Sequence, residues 1–66
     1  MKVTVNNKAV ELPDGATLAE ALTAVAIEPR GIAVALNDTV VPKDKLVATP
    51  LSDSDRILVI KAFYGG

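Results

Sequence analysis

Three observations predict an α+β fold in which one helix packs across one small mixed sheet. Strand-like alternation opens the chain, with Val3 and Val5 set between Lys2, Thr4 and Asn6. A single helical stripe follows, Leu18, Ala21, Leu22 and Val25 falling at i, i+3, i+4 and i+7. A closing apolar run starts near Arg56 and continues almost to the end. One helix covers only one face of one sheet, and the closing strand has to return beside earlier strands because an isolated hairpin is not stable.

Asn6-Asn7-Lys8 is a turn signal, because Asn tolerates positive φ. Val10 and Leu12 alternate with Ala9 and Glu11, which predicts a second strand and a hairpin, ended by Pro13-Asp14-Gly15. Thr17-Leu18-Ala19-Glu20 reads as a capping box that starts the helix. Pro29-Arg30-Gly31 is the expected stop. Ile32, Val34 and Leu36 then share one face of a third strand, with Ala33 and Ala35 on the other. Asn37-Asp38-Thr39 turns the chain into a short strand, Val40-Val41, stopped by Pro42. From Lys43 to Pro50 a polar connection is expected, anchored by Leu46 and Val47, and Asp53-Ser54-Asp55 forms the last turn.

Composition bounds the function. The 66 residues predict a single domain with a core of Val, Leu, Ile and Ala, since half the chain is apolar and only 3% is aromatic. A chain of this size buries only about 60% of its unfolded surface, so its stability is marginal. There is no Cys for a disulfide or thiolate metal site, and no His to serve as general base or metal ligand. Seven basic and eight acidic residues are scattered rather than blocked, which indicates neither nucleic acid nor an anionic membrane as partner. With no apolar segment near spanning length and no visible signal peptide, a cytoplasmic location is expected.

Catalytic constellations are missing from the sequence. Ser52, Ser54 and the threonines have no His to activate them. Asp53 and Asp55 read as turn-formers or solvated charges, and the lone Gly15 and Gly31 make no phosphate loop. No catalytic or metal-ligating residue is assigned, so any chemistry on this chain belongs to a partner.

Two features carry the functional expectation. The last strand is apolar on both faces, Ile57, Val59 and Phe63 on one and Leu58, Ile60 and Tyr64 on the other. Strands of that kind are normally covered twice, and a single helix covers one face. The second face is therefore expected to be a docking patch, with Ala33 and Ala35 smoothing it. A competing reading folds the connection from Lys43 to Ser52 over it. The other feature is the final Gly65-Gly66. Gly makes up about 7% of average composition, so such a pair is a chance event of about 1 in 200. Lacking Cβ atoms, it gives a slim tail (64–66) with a reachable carboxylate. That carboxylate needs activation, for example by adenylation, before an amine or a sulfur nucleophile can attack it. With no Cys present, the terminal carbonyl is the only place for the chain to carry reactive sulfur.

These residues resemble the bacterial thiamin-biosynthesis sulfur carriers of the ThiS family, within the ubiquitin-like β-grasp superfold. The resemblance spans essentially the whole chain. It rests on Val10-Glu11-Leu12, Gly15-Ala16-Thr17-Leu18, Ala33 to Asn37, Val40-Val41-Pro42-Lys43, Thr49-Pro50-Leu51, Asp53 to Ile57 and Gly65-Gly66. It implies a mixed sheet of four to five strands with one helix across it, in a single domain over 1–66. It further implies that Gly66 is adenylated by an E1-like partner (ThiF type) using ATP and magnesium, none of which the chain itself binds. A desulfurase system then supplies sulfur, and the resulting thiocarboxylate serves a thiazole synthase (ThiG type). Gly65 keeps the tail slim, Leu58, Ile60 and Tyr64 meet partners, and the free carrier is a monomer. Two positions depart from the pattern: Ser54 stands where the family usually has Gly, and no aromatic lies near Leu46. Carriers for molybdopterin, cysteine or tRNA thiolation, a ubiquitin-like protein modifier, and a non-covalent binding module remain as alternatives.

Overall fold

In the computed structural model, which describes residues 1–27 and 31–61, the chain runs through β1 (Lys2–Val5), β2 (Lys8–Glu11), α1 (Leu18–Ala24), β3 (Ile32–Leu36), β4 (Thr39–Val41), a 3₁₀ helix (Lys43–Ala48) and β5 (Arg56–Lys61). The strands form one five-stranded sheet in the order β2-β1-β5-β3-β4. β5 lies in the middle, parallel to β1 and antiparallel to β3, so the sheet is mixed as the sequence predicts. The expected helix stop at Pro29-Arg30, the faces of Phe63 and Tyr64, and the tail 64–66 all lie outside the described residues.

Both hairpins turn through two non-glycine residues of positive φ. Asn6 and Asn7 have φ 50° and 68°, and Asn37 and Asp38 have φ 49° and 71°. Two successive left-handed residues match the right-handed twist of the flanking strands, and Asn and Asp tolerate that region better than most side chains. Two of these three asparagines, Asn6 and Asn37, do a second job. Asn6 Oδ1 accepts from Val59 N–H at 2.8 Å, continuing the ladder of β5 where β1 has ended. Asn37 Oδ1 accepts from Arg56 N–H at 2.9 Å, and its Nδ2 donates to Asp55 Oδ1 at 3.0 Å.

The capping box of α1 is present in both directions. Glu20 N–H donates to Thr17 Oγ1 at 3.3 Å, and Thr17 N–H donates to Glu20 Oε1 at 2.9 Å. Leu18, Ala21 and Leu22 are buried, while Val25 is half-buried at the C-cap. The helix ends well before Pro29, at Ala24, and its stop is a Schellman motif. Ala26 takes φ 58°, its N–H donates to Thr23 O at 3.0 Å, and Ile27 N–H donates to Leu22 O at 2.9 Å. That pattern normally uses Gly at the left-handed position, and in this chain Ala26 holds it.

The segment expected as an irregular connection is the 3₁₀ helix, and only one of its two expected anchors is an anchor. Leu46 is buried at 3% exposure and Val47 is exposed at 72%. A 3₁₀ helix advances about 120° per residue, so adjacent side chains cannot both face α1. Backbone bonds lace the following residues to the start of α1: Leu18 N–H donates to Thr49 O, and Leu51 N–H to Ala16 O, both at 2.9 Å. The connection therefore lies on the helix side of the sheet. The core between helix and sheet is Val3, Val5, Leu18, Leu22, Val34 and Ile57, with Leu12, Leu46 and Leu51 closing its ends.

Candidate functional site

Strand register decides what the second face of the sheet presents. Val34 pairs with Val59 and Leu36 with Ile57, and these side chains point to the core. Their neighbours point outward: Ala33 pairs with Ile60, and Ala35 pairs with Leu58 and, across the other edge, with Val40. An apolar row thus crosses three strands as Val40, Ala35 and Leu58, with Ala33 and Ile60 beside it. Leu58 is 49% exposed, Ile60 53% and Val40 69%. The 3₁₀ helix and the residues after it lie against α1, so the competing cover from Lys43 to Ser52 does not lie over Leu58 and Ile60.

Val40 was missed by the sequence reading, which gave β4 no faces. The signal was present in parity, because Val41 pairs with Val34 on the inner side and so turns Val40 outward. The other half of this face is polar. Lys2 pairs with Glu11, and Thr4 pairs with both Ala9 and Arg56. The face is thus split, polar over β2 and β1, apolar over β5, β3 and β4, with β5 running along the boundary.

At that boundary lies a concavity of about 160 Å³, lined by Thr4, Asn6, Asn7, Asp38, Arg56 and Leu58. Arg56 Nη2 donates to Asp38 Oδ2 at 3.2 Å, with both side chains largely exposed. An ion pair so open to water contributes at most about 1 kcal/mol.

The start of β5 is held by a knot of turn contacts. Lys2 N–H donates to Asp53 Oδ1 and Ser52 N–H to Asp55 Oδ2, both at 2.7 Å. Ser54 takes φ 72° and its N–H donates to Lys2 O at 2.8 Å. Asp53 and Asp55 are therefore turn-formers that fix where β5 begins, and through its register they fix which residues face outward. Ser54 occupies a left-handed position that favours Gly, so the turn forms with some backbone strain. Among the described residues, no group of three or more Asp, Glu, His or Cys is placed to hold a metal ion, and no helix is long and apolar enough to cross a membrane. Gly65, Gly66 and Tyr64 lie outside the described residues.

A five-stranded mixed sheet with a parallel β1–β5 pair at its centre and one helix across it is the ubiquitin-like β-grasp. The chain belongs to the ThiS family, whose model matches residues 2–66. It is 29% identical over 66 residues to the sulfur carrier protein ThiS of Escherichia coli (strain K12), covering all of both chains. The crystal structure of thiamine biosynthesis protein ThiS from Geobacter metallireducens superimposes with a TM-score of 0.83 at 26% identity, again over all of both chains. The solution structure of a thiamine biosynthesis protein from the same organism gives a TM-score of 0.74 at 29% identity, over all of this chain and 87% of the other.

Proposed function

We propose that this chain is a sulfur carrier in thiamin biosynthesis and that Gly66 is where the sulfur is carried. The observation that supports this best is the family match, which runs through residue 66 and so takes in Gly65-Gly66. The relative from Escherichia coli, named a sulfur carrier protein, aligns over its full length.

The chemistry follows from the terminal carboxylate. Left alone it is a poor electrophile, because substitution would expel oxide. An E1-like partner of the ThiF type, using ATP and magnesium, lets a carboxylate oxygen attack the α-phosphorus; pyrophosphate leaves and an acyl-adenylate forms. The outer sulfur of a persulfide on a desulfurase system attacks the carbonyl carbon and AMP leaves, giving an acyl disulfide that a thiol reductant cleaves to the thiocarboxylate. The thiocarboxylate then hands its sulfur to a thiazole synthase of the ThiG type. In this scheme the chain is a substrate, not an enzyme, and works as a single unit over 1–66, monomeric when free and cytoplasmic. The Gly65-Gly66 end enters the partner's channel, where the missing Cβ atoms of the two glycines avoid steric conflict. Leu58, Ile60 and Tyr64 dock on the partner, with Val40 and the small Ala33 and Ala35 completing the apolar row.

Complementation of a thiamin-requiring strain that lacks its own carrier tests this reading. The full chain should restore growth without thiamin, and the chain without Gly65-Gly66 should not, although it folds equally well. Growth supported by the truncated chain would refute the proposal.

A further inference from the structure

The concavity beside Leu58 has an unusual complement of hydrogen-bonding groups. Arg56 has a side chain that is 68% exposed, its guanidinium steadied on one side by Asp38. Asn6 has its Oδ1 committed to Val59 N–H, since only an oxygen can accept there, which leaves Nδ2 as the remaining, donating end of that amide. The Thr4 hydroxyl and the Asn7 amide add two more groups able to donate. Among the described residues, the one carboxylate on the rim is that of Asp38, already engaged by Arg56. Leu58 forms an apolar wall and belongs at the same time to the row proposed to dock.

We propose that this concavity receives an acidic side chain, Asp or Glu, of the activating protein partner, its carboxylate on Arg56 and its methylene stem against Leu58. The inference rests on the proposed docking role of the outer face, and it deepens that role. The charge complementarity is local. A carboxylate would find several donors in the concavity, whereas a partner lysine would find a guanidinium and an acceptor already in use. Arginine suits such a position because its planar fork binds one carboxylate while a neighbouring nitrogen holds another. The site would act on specificity and on encounter rate more than on total affinity, as charges at the edge of an apolar patch generally do.

The test is the affinity of the full chain for the ThiF-type enzyme of the same organism, measured by calorimetry at two salt concentrations. The variants are Arg56→Glu, Arg56→Gln and Arg56→Lys, with Lys2→Glu as a control on the same face outside the concavity and Ile60→Glu as a control on the apolar row. Arg56→Glu should weaken binding roughly tenfold and Arg56→Gln roughly threefold, while Arg56→Lys recovers part of the loss. Arg56→Gln should also flatten the salt dependence. Lys2→Glu should stay within about twofold of the parent chain. If Lys2→Glu weakens binding as much as Arg56→Glu, the effect is one of overall charge and the concavity is not the site. If Ile60→Glu weakens binding and the Arg56 variants do not, the docking face stands and this inference falls. If the parent chain does not bind, or Ile60→Glu binds as well as the parent, the docking role itself falls and takes the inference with it.

Discussion

The two faces of β5 use nearly the same residues for opposite purposes. Ile57 is 2% exposed and Ile60 is 53% exposed, three positions apart on one strand in the centre of one sheet. Neither hydrophobicity nor strand propensity separates them. What separates them is that α1 covers one face and nothing among the described residues covers the other. An apolar side chain under the helix contributes to folding, while the same side chain on the open face leaves apolar surface in water until a partner removes it. The sheet is thus a wall with its stability on one side and its proposed binding surface on the other.

Substitutions at matched positions on the two faces test that contrast. The largest effect is expected at Ile57. Ile57→Ala removes buried atoms from the middle of the core and should destabilise by about 2–5 kcal/mol, against total stability of about 5–15 kcal/mol for native domains. The milder Ile57→Val should lose about 1 kcal/mol. Ile60→Ala should change stability by less than about 0.5 kcal/mol, measured in the same urea titration. Equal losses at Ile57 and Ile60 would mean that both faces are covered. Next in size is the effect of Ile60→Glu on partner affinity, a loss of about 1–3 kcal/mol with the unfolding midpoint nearly unchanged. If midpoint and affinity fall together, Ile60 belongs to the core and the outward assignment is wrong.

The remaining expected effect is a gain, and it concerns the framework that holds both faces. Ala26 and Ser54 stand in the left-handed region, where a Cβ is unfavourable. Ala26→Gly at the end of α1 should stabilise by about 0.5–1 kcal/mol, the relief of the left-handed strain outweighing the added entropy of the unfolded chain. Ser54→Gly should act in the same direction and leave the outer face intact. A loss of stability in the Ala26 variant would show that its methyl packs usefully and that the left-handed position is not a net source of strain.

Sequence carried the fold where the physics is local. Strand parity placed Val3, Val5 and Val34 inside and Leu58 outside, because alternation along a strand has a fixed period of two. The capping box marked the start of α1, because its donors and acceptors lie within four residues of one another. What stayed hidden depends on contacts between distant segments. The end of α1 was missed because Ala26 has no left-handed preference of its own; the motif is imposed by Leu22 and Ile27 around it. Val47 was misread because a 3₁₀ turn and a loop look alike in composition, and only the turn forces Leu46 and Val47 apart. Asn6 was legible as a turn residue and Arg56 as the start of the last strand, but nothing in the sequence brought the two together. Their place at one concavity depends on β5 pairing with β1 across about fifty residues of chain. Of the candidate site, the outward apolar row could be partly read and its polar border could not. The tail was read from Gly65-Gly66 alone, which lie outside the described residues.

The central claim is that Gly66 carries sulfur. Its most direct measurement is the mass of the C-terminal proteolytic fragment after incubation with a ThiF-type enzyme, ATP, magnesium and a sulfide source. Working on the fragment is essential, because oxidation of Met1 in the intact chain nearly mimics exchange of oxygen for sulfur. One oxygen of the Gly66 carboxylate should be replaced by sulfur, and only when ATP is present. An unchanged C-terminal fragment in the presence of an enzyme that thiolates its own carrier would contradict that claim.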